Sequence, residues 1–238
     1  MANKGNNNRQ KRISYAGRIQ LKRKEHVWTF NQLPGPHKKH LGATIGNLIR
    51  DVLHFADNVR EIKYILNNKT ILVNGKRVKN HRFPIGLFDI VEFKEIEKKY
   101  RIFLTHKNKF FIKELNSNDR LFRPCKVVLK KMVGKDKLQF GFDNGYTMIE
   151  TLTKGKNINV GDSVEYDILK NKFDKVLKLV EGCKVYIGGG PHVSSFGVLK
   201  GIVKGDITKS NEVTFETNGK IVKTRRKYVF AIPEDLKL

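Results

Sequence analysis

The sequence is poor in cysteine, in acidic residues and in long apolar runs. Two cysteines stand among 238 residues. Cys125 and Cys183 are far apart and have no CxxC spacing, so they read as small buried hydrophobes of a reduced chain, with a disulfide as the alternative. No run approaches the roughly 18 apolar residues of a membrane-spanning helix. The first residues are basic but lack the apolar core of a secretory signal. The seven histidines never pair with cysteine or carboxylate at metal-ligand spacing, and Lys38 and Lys39 between His37 and His40 would repel a cation. Gly188-Gly189-Gly190 lacks the Gly-Lys-Ser/Thr ending of a nucleotide loop, and Val193 stands where a dinucleotide fingerprint needs glycine. That loop reads either as a flexible turn or as backbone amides that approach phosphates. Ser194 and Ser195 beside His192 show no strained nucleophile turn. Glu92, Glu95 and Glu97 lie among lysines, as on a solvated strand edge. No catalytic residue, metal site, cofactor or small-molecule substrate is expected.

The scarcity of acid leaves a large excess of cation. Lys and Arg number 48 against 23 Asp and Glu, a formal net charge of +25 and a pI of about 10.0. Self-repulsion on that scale points to a polyanionic partner, nucleic acid first and an anionic membrane surface second. Residues 1–24 contain no acidic residue at all, but carry Lys4, Arg9, Lys11, Arg12, Arg18, Lys22, Arg23 and Lys24. With so little to bury, this arm is expected to be disordered when free and to order along phosphates. A solubilising tail is the plainer alternative.

Thr44 to Phe93 is the stretch where helix pattern, hairpin pattern and basic charge coincide. Ile45, Leu48, Ile49, Val52, Leu53 and Ala56 recur at helical spacing, with Arg50 and His54 on the opposite side. Asn58 and Glu61 resemble a capping box at the start of a second helix bearing Val59, Ile62, Ile65 and Leu66. Its polar flank holds Arg60, Lys63 and Asn67. Ile71 and Val73 alternate as in a strand, and Asn74-Gly75 signals a two-residue hairpin turn. Lys76, Arg77, Lys79 and Arg82 follow it. Upstream, Pro34 and Pro36 stiffen a strap, in which Trp28 and Phe30 either stack on bases or dock on the module itself. Beyond Phe93 come short strands: Ile102 to Leu104, Phe110 to Ile112, Lys126 to Leu129, Leu138 to Phe142, Tyr146 to Leu152, Ser163 to Leu169 and Val176 to Val180. The last segment, with strands at Lys184 to Ile187 and Phe196 to Val203 and an Asn218-Gly219 turn, reads as a small SH3-like barrel. The fold class is therefore α+β. A basic N-terminal extension and Pro-rich strap (1–42) precede a small helical RNA-binding module with hairpin (43–95), a central antiparallel β domain (96–177) and the C-terminal barrel (178–238).

Several stretches carry a resemblance in the same order along nearly the whole chain. Leu33-Pro-Gly-Pro-His37, Val73-Asn-Gly-Lys76, Phe83-Pro-Ile-Gly-Leu-Phe-Asp-Ile-Val91, Tyr100-Arg-Ile, Pro124-Cys-Lys-Val127 and Val160-Gly-Asp162 resemble the archaeal and eukaryotic small-subunit ribosomal protein number four, the e-type family. Gly189-Gly190 with Phe196-Gly-Val-Leu199 is similar to that family's KOW element. The resemblance implies a ribosomal-type four RNA-binding domain, a central domain and a KOW barrel. It also implies a structural, non-enzymatic constituent of the small subunit, cytoplasmic and ribosome-bound. Its partners would be small-subunit ribosomal RNA and neighbouring ribosomal proteins, with no membrane. Asn74 replaces the usual Asp of the family, and Ser194 and Ser195 stand where Gly and Arg are common. The end at Leu238 and the Lys and Asn richness fit archaeal members. An RNA-modifying enzyme such as a pseudouridine synthase carries the same helical module, but no candidate carboxylate is seen. A translation or transcription factor using the KOW barrel is the third class. The candidate RNA contacts are Arg9, Lys11, Arg12, Arg18, Lys22, Arg23 and Lys24 in the arm, and His37, Lys38 and Lys39 in the strap. Arg50, Arg60, Lys63, Lys76, Arg77, Lys79 and Arg82 belong to the module, and Lys200, Arg225 and Arg226 to the last segment.

Overall fold

The structure, a computed structural model, describes residues 9–116, 119–206, 210–217, 219–234 and 236. It is mostly β, with only short helices, and it divides into two units. The first comprises 1–102 with 114–116, the second 103–113 with 117–238.

In the first unit, β1 (Arg9–Lys11) pairs antiparallel with β2 (Trp28–Phe30), placing Lys11 opposite Trp28. This differs from a loose arm. Ile19 and the side chains of Arg12 and Arg18 are buried, so residues from 9 onward are held by buried cations that composition alone reads as solvated. Lys4 and the Asn6 to Asn8 run lie outside the described residues. β3 (Ala43–Thr44) leads into α1 (Ile45–Asn47), capped by Thr44 Oγ1, which accepts the Asn47 N–H at 3.2 Å. The helix then widens into a π-helical turn over Leu48–Val52, with the Leu53 N–H donating to the Leu48 carbonyl at 2.9 Å. Ile45, Leu48 and Ile49 are buried as the apolar stripe predicts, but Val52 is exposed. The widened turn shifts the phase of the side chains beyond it, and His54, at φ 52, ends the segment.

The helix α2 (Val59–Asn68) opens on a complete capping box between Asn58 and Glu61. Backbone N–H groups of Asp57 and Asn58 donate to Glu61 and hold its carboxyl below the usual range. Ile62 and Leu66 face the core. β4 (Ile71–Val73) and β5 (Lys76–Arg77) pair Val73 with Lys76, and Asn74 and Gly75 sit at φ 51 and 79. β6 (Pro84–Ile85) pairs with β3, and β7 (Ile90–Phe93) and β8 (Lys98–Leu104) extend the sheet in the order β5-β4-β7-β8. Gly75 is the position where positive φ matters most, because it sets the register that places Lys76 and Arg77. Gly75→Val should therefore lower stability by about 1–3 kcal/mol. An unchanged melting temperature would contradict this.

Strands β8 and β9 (Phe110–Leu115) both run across the division. In the second unit β10 (Phe122–Met132) is shared by two halves of one curled sheet. Phe122 to Lys126 pair with β13 (Ser163–Asp167), while Val127 to Met132 pair with β11 (Lys137–Phe142). A register shift between Val127 and Leu129 marks the bend. With β12 (Thr147–Thr151) and β14 (Lys172–Leu177) the order is β12-β11-β10-β13-β14. β14 starts earlier than the expected Val176, because Asn171 at φ 57 turns the chain so that Lys172 already pairs with Asp167. Cys125 is buried and Cys183 half-buried, and the two are not joined in a disulfide.

The remaining strands are β15 (Lys184–Ile187), β16 (Phe196–Val203), β17 (Glu212–Thr217), β18 (Lys220–Arg225) and β19 (Val229–Ala231), ordered β18-β17-β16-β15-β19. They enclose a core of Leu179, Val185, Ile187, Leu199, Val213, Phe215, Val229 and Ala231. Of the expected Asn218-Gly219 turn, Asn218 lies outside the described residues, while Gly219 has φ 73 and Thr217 pairs with Lys220. The triple glycine has a packing cause. A Cβ on Gly189 would lie 2.5 Å from the Tyr228 ring, and the Gly188 N–H donates to the Tyr228 carbonyl at 2.8 Å.

Candidate nucleic-acid interface

The strap and the module are joined by one buried carboxylate. Asp89 Oδ2 contacts His37 Nε2 at 2.8 Å and accepts the Gly86 N–H at 2.7 Å. Its Oδ1 accepts from Asn74 Nδ2 at 2.7 Å, and Asn74 Oδ1 accepts the Ile90 N–H at 2.9 Å. Asn74 thus serves the turn and the network together. The strap is further fixed by Gln32 Nε2, which donates to the His37 carbonyl at 2.6 Å. Although expected as an RNA contact, the His37 side chain is 9% exposed. It is a strut that holds the strap down.

A second buried carboxylate fixes the arm. Asp51 pairs with Arg12, whose side chain is 1% exposed, and with Arg50 at 3.1 Å. Arg12 also reaches Glu25 at 3.4 Å. Arg12 and Arg18 are therefore turned inward, which corrects their placement among solvent-facing contacts: each lies in the body of the unit instead of along its surface. Tyr15 is packed here too, and burial pushes its hydroxyl up to about 12. Of the remaining arm residues Lys11, Lys22, Arg23 and Lys24 are exposed, and only the backbone of Arg9 is described.

The exposed cations of the module gather around α2. Arg60, Lys63 and Asn67 follow one another at three- and four-residue spacings and so share a flank. Arg77 Nη2 donates to the Asn67 carbonyl at 3.1 Å, which ties β5 to the end of that flank. Arg50, Lys63 and Arg82 line one cleft together with Trp28, Phe30 and His81. Arg82 is oriented by donation from its Nε to the Asn31 carbonyl at 2.7 Å. Burial, together with the charges of Lys63 and Arg82, holds His81 below the usual histidine range. Lys38, Lys39, Arg60, Lys76 and Lys79 are exposed. Phe30 is buried beneath the Arg50 guanidinium, 4.6 Å from its ring centroid, whereas Trp28 remains 47% exposed. Phe30 therefore docks on the module itself, while the Trp28 side chain stays partly open to solvent.

In the second unit Lys200 pairs with Glu216 at 2.9 Å, and Arg225 is exposed. Arg226 Nη2 donates to the Val160 carbonyl at 2.6 Å, and its own carbonyl accepts from Lys126 Nζ at 2.7 Å. Arg226 is a structural link within this unit. Sequence reasoning missed Lys126, which looked like any other strand lysine.

Residues 96–173 match the profile of ribosomal family S4e. Small ribosomal subunit protein eS4 of Methanosphaera stadtmanae is 32% identical over 99% of this chain and 96% of its own length. The chain belongs to the ribosomal S4e family. The eS4 protein of Nanoarchaeum equitans is likewise 32% identical, over 87% of each chain. The crystal structure of 30S ribosomal protein S4e from Thermoplasma acidophilum superposes on this S4e-family chain with a TM-score of 0.67 at 25% identity. The match covers 80% of this chain and 94% of that one. No helix among the described residues is long and apolar enough to cross a membrane.

Proposed function

We propose that this S4e-family chain is a structural, non-enzymatic constituent of the small ribosomal subunit, which binds and stabilises folded small-subunit ribosomal RNA in the cytoplasm beside neighbouring ribosomal proteins. The observation that carries this reading is the clustering of exposed cations along one flank of α2 and around the following turn, in a family whose relatives are named for the small subunit. Such a surface neutralises a line of phosphates and releases the counterions condensed on them. The working contacts are the outward cations: Lys11, Lys22, Arg23, Lys24, Lys38 and Lys39, then Arg60, Lys63, Lys76, Arg77, Lys79 and Arg82, with Lys200 and Arg225 in the second unit. The finer division at 42, 95 and 177 into strap, module, central β domain and SH3-like KOW barrel belongs to the same reading. It is supported at 42 and 177 by a change of sheet, between β2 and β3 and between β14 and β15, whereas β8 continues the module's sheet past 95. The chain should remain with small subunits sedimented through high salt, where a loosely bound factor or enzyme would leave.

Replacing Arg77 and Lys79 together by Ala tests the surface. Affinity for a folded small-subunit rRNA fragment should fall, and the slope of log affinity against log salt should flatten by up to roughly two contacts' worth. The melting temperature should barely move, because both side chains are exposed and the bond from Arg77 to the end of α2 lies at the surface. Unchanged affinity and slope would overturn the proposed surface.

A further inference from the structure

The cleft beside α2 has a composition that a phosphate-binding surface alone does not need. Its volume is about 650 Å³, within the roughly 300–1,000 Å³ typical of clefts that seat a small molecule. Three cations line it, Arg50, Lys63 and Arg82, and no carboxylate does. The Trp28 indole supplies an exposed aromatic face, while Val59 adds apolar wall. Three of its polar wall residues, Arg50, His81 and Arg82, are held in place. Arg50 is gripped by Asp51 through its Nε at 3.2 Å and its Nη2 at 3.1 Å, and lies over Phe30. His81 meets the Phe30 ring edge-on at 5.1 Å. Arg82 is anchored on the strap by its bond to the Asn31 carbonyl. A cleft with one open aromatic face, prearranged guanidinium groups and net positive charge suits a planar, anionic unit whose flat ring stacks while its phosphate is neutralised.

We propose that this cleft holds a single unstacked nucleotide of the bound RNA, its base on the Trp28 indole and its phosphate among Lys63, Arg82 and Arg50. This rests on the RNA-binding reading and adds to it a preference for RNA with an unpaired base. A paired A-form helix keeps its bases stacked and cannot present one to the indole. Burial and two cationic neighbours disfavour the protonated form of His81, and the neutral ring has one donor and one acceptor nitrogen with which to meet a base edge.

Trp28 is the single tryptophan of the chain, so the intrinsic indole emission of the full-length protein reports on this cleft alone. Oligoadenylate and a fully paired RNA duplex with the same number of phosphates serve as the two probes. At saturation oligoadenylate should quench the emission and the duplex should leave it nearly unchanged. Trp28→Leu should weaken oligoadenylate binding by about 5- to 150-fold, the range of one base stack, and leave duplex affinity and its salt slope as they were. Trp28→Phe, which preserves both strand pairing and a stacking face, should retain most of the affinity. Binding of oligoadenylate without a change in emission, or unaltered affinity in Trp28→Leu, would overturn the cleft while leaving the RNA-binding surface standing. A cleft that docks a neighbouring protein instead would give that same result. Failure of both RNAs to bind would overturn the RNA-binding reading and this inference with it.

Discussion

Asp51→Ala should destabilise the first unit by about 3–5 kcal/mol, the range seen when a buried ion pair loses one partner. The Asp51 side chain is 7% exposed and that of Arg12 is 1% exposed. Without Asp51, the Arg12 guanidinium keeps, among the described residues, only a contact at 3.4 Å to Glu25, whose side chain is 48% exposed and therefore screened. Removal thus leaves a cation in the body of the unit with almost no compensation, and the arm it anchors should come away first. Amide exchange should accelerate along Arg9 to Lys11 and Trp28 to Phe30, which pair with each other. The double variant Arg12→Met, Asp51→Leu should recover part of the loss, because it removes the buried charges of Arg12 and Asp51, while Arg50 still lacks the carboxylate that held it. Chemical denaturation of the three proteins checks this. A loss below about 1 kcal/mol in Asp51→Ala, the scale of an exposed pair, would show that the arm is held by something else.

How far the sequence carried depends on whether a residue's role is local. Turns and caps were legible because their chemistry lies within a few residues. Asn74-Gly75 needs positive φ at adjacent positions, and Asn58 with Glu61 closes a box across one helical turn. The strands of the second unit followed from alternation and turn residues. Charge was the least legible quantity. Arg12, Arg18 and Lys126 look in sequence like the outward cations around them, yet all three are buried. Their acceptors lie far along the chain: Asp51 for Arg12, and the carbonyls after Arg225 for Lys126. His37 was misplaced for the same reason, since Asp89 is 52 residues away. The cleft was half legible. Trp28 was read as either stacking on bases or docking on the module, but its neighbours Lys63, His81 and Arg82 come from α2 and the loop after the turn, which only the folded unit brings together.

The second unit turns on Lys126, and Lys126→Met should lower its stability by about 2–4 kcal/mol. The side chain leaves β10 and its Nζ donates to the carbonyls of Arg226 at 2.7 Å, Lys227 at 3.0 Å and Val229 at 2.7 Å. The three N–H bonds of the ammonium thus meet three acceptors at the start of β19. Methionine fills similar space but leaves those carbonyls without this donor, and the residues from Arg226 to Val229 should lose exchange protection. Titration gives an independent check. Burial lowers the ammonium to about 8, with Arg226 acting in the same direction and Asp143 opposing it. The unfolded chain keeps this proton up to about 10.4, the ordinary lysine value. Between these limits unfolding takes up a proton, so the contribution of this group to stability rises with pH through that window. At pH 9 wild type should take up about one more proton on unfolding than Lys126→Met. Equal proton uptake by the two proteins would mean that the carbonyls hold the ammonium strongly enough to cancel the effect of burial. A variant as stable as wild type would remove Lys126 as the pin between β10 and β19.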